Sequence, residues 1–313
     1  MTAPAWQQAL WQRLRVRVEA DTLPHALLLA GPSGLGKRAF AQRLLGSLLC
    51  PARNADGEAC GQCRSCLLLR AGTHPDLIRV VLQPRKDGAL RSELVVEQIR
   101  ELSARLALAS QFGGWQVALI DPADAMNAAA ANALLKTLEE PSARTVLLLL
   151  ADAPWRLPQT IRSRCQRIEF ALPARADALA WLSDQGVAEP AAALDAAAGN
   201  PGLALAWAQD GALARREAVR TDLAALAAGR AEAAEVSRRW LDDQPAQRLW
   251  FAAQAASEEA RQRAAGREEK RLGSRLDEEA LAAWFDAANR AREALRGPLR
   301  ADLLLLELLA RWH

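Results

Sequence analysis

A parallel α/β sheet followed by an all-helical half is the fold predicted for this chain of 313 residues, and three observations predict it. A glycine-rich loop, Gly31-Pro32-Ser33-Gly34-Leu35-Gly36-Lys37-Arg38, stands between a short apolar run and a helical pattern. Further apolar runs alternate with helical segments as far as Phe170, the pattern of a sheet covered by helices on both faces. Beyond Leu172-Pro173 the chain turns Ala- and Leu-rich, with helical periods and no strand signal.

Ala26 to Ala30 form the first apolar run, and Arg38 to Leu49 continue with Phe40, Leu44, Leu45, Leu48 and Leu49 at helical spacing. Strand, loop, helix is the context a phosphate-binding loop requires. Strands are expected at Leu77 to Leu82, Trp115 to Ile120 and Val146 to Leu150, with helices at Leu94 to Ala109 and Asn127 to Glu140. Asn127 is a natural cap, and Pro141 stops that helix. In the second half Gly199-Asn200-Pro201-Gly202 interrupts the helices once. The final helix, Arg300 to Trp312, is expected to bury Leu303, Leu304, Leu305, Leu306, Leu308 and Leu309, a stripe broad enough to need a second neighbour.

Hydrophobic residues make up 51% of the chain and charged residues 25%, an ordinary globular composition. A net charge of +3 is too small to mark a nucleic-acid protein by itself. Arginine supplies nearly all positive charge, with Lys37, Lys86, Lys136 and Lys270 the lysines. Met1 to Arg17 has no continuous apolar core and does not read as a secretory signal, and no run reaches the length of a membrane span, so a cytoplasmic location is expected.

Five cysteines, an odd number, argue against a disulfide framework. Cys50, Cys60, Cys63 and Cys66 follow the spacing C-x9-C-x2-C-x2-C. Four thiolates so close match a closed tetrahedral zinc site, structural because no coordination position is left for water. Its expected role is to staple the excursion between the first helix and the strand at Leu77. His74, nearby, reads as a surface or turn residue.

In a working phosphate loop the glycine amides wrap the phosphates, the lysine reaches the β- and γ-oxygens, and a Ser or Thr holds Mg²⁺. Gly31, Gly34, Gly36 and Lys37 supply the first parts, but Arg38 replaces the hydroxyl. Val117-Ala118-Leu119-Ile120-Asp121 reads as the second strand, whose Asp121 is the expected metal ligand. The next residue is Pro122, which has no proton acceptor, and Asp124 would have to point back across the turn to substitute.

Asn132-Ala133-Leu134-Leu135-Lys136-Thr137-Leu138-Glu139-Glu140-Pro141, followed by Thr160-Ile161-Arg162-Ser163-Arg164-Cys165, resembles the bacterial replication clamp loaders of the AAA+ class, and the four cysteines strengthen the likeness. The resemblance implies an AAA+ P-loop domain at 1–170 with a zinc module at 50–66, a small helical lid at 171–209 and a helical collar at 210–313. It also implies that a polar sensor should end the strand at Val146 to Ala151, where Asp152 stands, and that a second sensor arginine should occupy the position of Gly202. Arg38, Pro122, Asp152 and Gly202 thus depart together from the ATPase pattern. Hydrolysis by this chain alone is not expected, and two states of the loop remain open: weak ATP or ADP binding without turnover, or a relic serving the strand-to-helix turn.

Ser163-Arg164-Cys165 keeps what the family uses. In related clamp loaders this arginine enters the ATP site of the adjacent subunit as an arginine finger, and Cys165 is a small packing residue. The resemblance implies a heteropentamer with γ or τ ATPase subunits and a δ subunit, acting on a sliding clamp and primed DNA. Within that reading the chain is an accessory subunit of a DNA-directed DNA polymerase holoenzyme and no independent enzyme. Polymerase chemistry is excluded, since no cluster of metal-binding carboxylates is present.

Two other readings compete. A self-sufficient γ/τ-like ATPase needs the missing Asp-Glu pair, and a zinc-containing DNA-binding regulator needs a basic recognition helix beside the cysteines. The most basic stretch, Arg261, Arg263, Arg267, Lys270, Arg271 and Arg275, is diluted by Glu258, Glu259, Glu268 and Glu269. Ten Trp with no Tyr are spread singly and read as anchors of helix packing.

Overall fold

The computed structural model describes residues 4–84, 88, 90–266, 272–295 and 300–312. Lys86, Arg267, Lys270 and Arg271 lie outside the described residues. The chain forms two compact units, Met1–Trp181 with Gly199–Leu203, and Leu182–Ala198 with Ala204–His313.

The first unit runs α1 (Gln8–Glu19), β1 (Ala26–Ala30), α2 (Lys37–Leu49), α3 (Arg64–Arg70), β2 (Leu77–Val81), α4 (Val96–Leu106), β3 (Gln116–Asp121), α5 (Ala128–Glu139), β4 (Thr145–Ala151), α6 (Gln159–Arg162) and β5 (Gln166–Glu169), and α7 (Arg175–Asp184) follows. All pairings are parallel, in the order β2-β3-β4-β1-β5. Such a sheet has both faces covered, so its inner strands read as continuous apolar runs. Every residue of β1 and β4 is buried. Because side chains alternate along a strand, Leu27 and Leu29 join the core of Trp11, Leu14, Phe40 and Leu44, while Ala26, Leu28 and Ala30 join that of Ile99, Leu102, Leu134 and Leu138.

The expected strands and helices appear with ends displaced by a few residues. Asn127 caps α5, its side chain accepting from the Ala130 amide at 2.9 Å. β5 was not expected: of Gln166, Arg167, Ile168 and Glu169 only Ile168 is buried, so this edge strand has no apolar run to announce it.

The second unit contains α8 (Pro190–Ala196), much of α9 (Pro201–Gln209), α10 (Ala212–Ala227), α11 (Ala233–Asp242), α12 (Pro245–Ala264), α13 (Glu278–Ala294) and α14 (Ala301–Ala310). Its tryptophans pin helices through their indole N–H groups: Trp240 to Asp222 Oδ2 at 2.8 Å, Trp284 to the Leu308 carbonyl and Trp312 to the Leu223 carbonyl at 2.9 Å each. Each large ring is buried while its one polar atom keeps a partner. α14 buries Leu305, Leu308 and Leu309, but Leu303 is 53% exposed, so its covered stripe is narrower than expected. Of the basic stretch, Arg263 is spent internally, on Glu259 and on the carbonyls of Ser274 and Leu276. No helix among the described residues is long and apolar enough to cross a membrane.

Candidate functional site

β1 ends at Ala30 and α2 begins at Lys37, so Gly31, Gly34 and Gly36 line the turn between them, all with positive φ (144°, 87° and 80°). The loop is closely covered. Asn200 donates from Nδ2 to the Ser33 carbonyl at 2.7 Å and accepts the Leu203 amide at 3.1 Å. Gly202 lies so close that a Cβ there would overlap the Gly34 carbonyl oxygen. Glycine at 202 is therefore a steric requirement, and an arginine side chain has no room to begin there. From α1's side, the buried Gln7 donates to the Leu35 carbonyl at 2.9 Å.

Lys37 is fully engaged by the chain itself. Its Nζ donates to the Gly31 and Pro32 carbonyls at 2.5 and 2.8 Å and to Asp152 Oδ1 at 2.6 Å. Arg38, next along α2, grips Asp121 with both ends of its fork: Nε to Oδ2 at 2.9 Å and Nη2 to Oδ1 at 2.8 Å. The same Nη2 reaches Asp152 Oδ2 at 3.1 Å. Two cations and two carboxylates thus form one neutral network across the ends of β3 and β4. Burial works against the Asp152 carboxylate, but the bonds from Lys37 and Arg38 outweigh it and hold it below the ordinary carboxylate range. Asp124 lies close enough for its charge to act on Lys37, but its hydrogen bond is with the Ala153 amide, which it accepts at 2.9 Å.

The four cysteines converge. All four Sγ atoms lie within 4.8 Å of one another, with Cys50–Cys60 at 3.6 Å and Cys50–Cys63 and Cys60–Cys66 at 3.9 Å. A tetrahedral Zn²⁺ with bonds of about 2.3 Å needs sulfur–sulfur edges of about 3.8 Å, so the donor set fits such an ion. Backbone amides of Cys60, Cys63 and Cys66 point at the sulfurs of Cys50, Cys60 and Cys63, at 3.4, 3.4 and 3.5 Å, which favours thiolate charge. The amides of Gln62 and Cys63 bring the Cys60 thiol down to about 6, whereas burial pushes Cys66 up to about 12. The intervening loop is held to the domain by Trp11 Nε1, which donates to the Asp56 carbonyl at 3.3 Å. Arg43 adds a second tie, pairing with Glu58 while lying 3.9 Å over the Trp11 ring.

His74 is not a surface residue. It is 4% exposed, its Nε2 lies 2.7 Å from Ser65 Oγ, and its ring packs 5.0 Å from that of Phe112. Burial pushes its imidazole below the usual histidine range.

Arg164 stands between α6 and β5 and meets the end of α5: Nε and Nη2 contact Glu139 Oε1 at 2.9 and 2.6 Å, and Nη1 donates to the Thr160 carbonyl at 3.0 Å. The fold thereby joins the Leu-Leu-Lys-Thr-Leu-Glu-Glu-Pro helix to Ser-Arg-Cys, two segments separate in sequence. Cys165 packs beside the sheet core, and burial raises its thiol to about 11. Sequence reasoning missed Gln7, Ser65 and the role of Glu139; the last stood inside a recognised motif, but nothing in spacing marks it as the arginine's partner.

A parallel sheet whose first strand feeds Gly-x-x-x-x-Gly-Lys into a helix, with Asp121 closing a neighbouring strand, defines the P-loop class of α/β nucleotide-binding folds. A family model described as "DNA polymerase III, delta subunit" matches residues 6–174, more than half of the chain, and the chain belongs to that family. It is 48% identical over 190 residues to DNA polymerase III subunit delta' of Pseudomonas aeruginosa, covering 61% of this chain and 55% of that protein. Against subunit delta' of Escherichia coli the identity is 39% over 207 residues, 65% and 60% of the two chains. The tau subunit of Bacillus subtilis is 32% identical over 164 residues, 52% of this chain and 28% of that one. The matches thus span less than two thirds of the length of these relatives.

Proposed function

We propose that this chain is a non-hydrolysing delta-prime-type subunit of the DNA polymerase III clamp loader, an AAA+ assembly, and helps load the sliding clamp onto primed DNA. The observation that carries the reading is the network of Lys37, Arg38, Asp121 and Asp152. Each group an ATPase would turn toward phosphate or Mg²⁺ is bonded to another side chain of this same site. A nucleotide would have to break at least the Lys37–Asp152 pair and expose Asp152 to its own negative charge. Binding of ATP or ADP is therefore weak or absent, and hydrolysis belongs to partner subunits.

Arg164 is the residue offered outward. Its side chain is 37% exposed, and Glu139 holds the guanidinium by a surface pair of little energetic worth. Exchange of that carboxylate for phosphoryl oxygens in a neighbouring γ or τ subunit replaces one charge-assisted contact by another. Arginine fingers in other nucleotide hydrolases accelerate turnover by about 10³ to 10⁵. The four cysteines hold a structural Zn²⁺ with no open coordination position. Residues 1–170 form the AAA+ domain, 171–209 the lid and 210–313 the collar through which a pentamer with γ/τ and δ closes, in the cytoplasm.

Reconstitution with the ATPase and δ partners tests the reading. Arg164→Ala should leave fold and metal content intact while slowing DNA-stimulated ATP hydrolysis by the assembly at the neighbouring site. Unchanged turnover would remove the finger from the proposal. Robust hydrolysis by the isolated chain would overturn the non-hydrolysing assignment.

A further inference from the structure

Two of the four cysteines, Cys50 and Cys66, directly follow residues that are bonded to each other and into the domain interior. Leu49, the last residue of α2, precedes Cys50, and Ser65, in the first turn of α3, precedes Cys66. The Ser65 hydroxyl donates to the Leu49 carbonyl at 2.6 Å and meets His74 Nε2 at 2.7 Å. The His74 Nδ1 accepts the Asp76 amide at 3.2 Å, which leaves the proton of the neutral ring on Nε2 and makes Ser65 its acceptor. Both polar atoms of the histidine and both roles of the serine hydroxyl are thereby used.

The far end of this chain of bonds is equally held. The Asp76 carboxylate accepts Ser110 Oγ at 3.0 Å and the amides of Gln111 and Phe112 at 2.7 and 3.0 Å, and Phe112 covers the His74 ring. The Asp76 carbonyl accepts the Val117 amide of β3 at 2.8 Å. Ser65, His74 and Asp76 are 2%, 4% and 2% exposed, so water does not compete for these bonds.

We infer that Ser65 and His74 are positioning residues for the metal site, locking the Cys50 and Cys66 backbones at a fixed separation before any ion arrives. The inference rests on the metal reading proposed above. It divides the four ligands into a preset pair, Cys50 and Cys66, both buried, and a closing pair, both part-exposed: Cys60 on the intervening loop and Cys63 at the N-cap of α3. The closing pair, tied to the domain only through Asp56, Glu58 and Gly61 and through the start of α3, has more left for the ion to order. A preset half-site lowers the entropy cost of coordination, and outer-shell partners of this kind change metal affinity by about 10- to 100-fold.

The test uses the full chain loaded with Zn²⁺ alone and challenged with a chromophoric chelator, comparing wild type with Ser65→Ala and His74→Leu. Both variants should release zinc about 10- to 100-fold faster than wild type, while Cys165→Ser, outside the cluster, should release it at the wild-type rate. Wild-type release by Ser65→Ala overturns the inference. So does a variant that loses the same hydrogen-exchange protection in α2 and β2 with zinc and without it, since a packing defect alone behaves that way. A wild-type chain that takes up no zinc overturns the metal reading itself, and the inference with it.

Discussion

The pairing of Lys37 with Asp152 makes a quantitative prediction. The Lys37 side chain is 1% exposed and that of Asp152 is 32% exposed. Breaking a fully buried pair by removing one partner costs about 3–5 kcal/mol, and an exposed pair about 0–1 kcal/mol. Lys37 keeps the Gly31 and Pro32 carbonyls as acceptors, so Asp152→Asn should cost about 2 kcal/mol, near the middle of that range. Lys37→Met removes the charge and keeps the stem. In the double variant no unpaired charge is left behind, so the two losses should fall short of additivity by about 1–2 kcal/mol. Because the chain has two compact units, the assay should read the first alone: hydrogen exchange of β1 and α2 peptides across a urea series. The pH dependence has a definite sign. Asp152 titrates lower in the folded chain than its ordinary value, so its contribution is complete above the unfolded value of about 3.9 and is lost as pH falls through the folded one. The cost of Asp152→Asn should therefore be constant from neutral pH to about pH 5 and shrink below about pH 4. Coupling below about 0.5 kcal/mol, or a cost indifferent to acid, would refute the view that this pair holds the loop.

Two further outcomes follow from the same region and its neighbour. Arg38→Thr combined with Asp152→Asn restores a hydroxyl beside Lys37 and removes the competing carboxylate, so the isolated chain should bind labelled Mg·ATP more tightly than wild type in an equilibrium titration; equal affinity in both would count against the network as the obstacle. Asn127→Ala deletes the α5 cap and should cost about 1 kcal/mol, read as lost exchange protection in the first turn of α5, with Arg164 contacts at the helix's other end unaffected.

How much of this was legible beforehand depended on whether a signal was local. The strand-loop-helix around Lys37 and the Asn127 cap are each written within a few residues and appear in the structure as read, and the close cysteine spacing appears as four converging sulfurs. β5 escaped because an edge strand with one buried residue leaves no apolar period. Arg38 and Asp152 were each recognised as departures, yet their mutual bonding was not, because they are joined only when β1, β3 and β4 align side by side. His74 was misjudged for a similar reason: a polar residue after Gly72 and Thr73 reads as turn, and its burial comes from Phe112 and Ser65, neither of them adjacent in sequence. Gly202 looked like a lost arginine; its fit against Gly34 could be learned only from coordinates.

That fit carries a consequence for how the chain can change. A backbone resting on a backbone has no side chain left to trim, so an arginine at 202 would have to displace either the loop or the helix start before it could point anywhere. Asn200, bonded across the same contact to the Ser33 carbonyl, would lose that partner in the same movement. No side chain can therefore be added at 202 by single substitution without moving backbone. The restriction on this position is set by van der Waals contact alone, whatever the site does with a nucleotide.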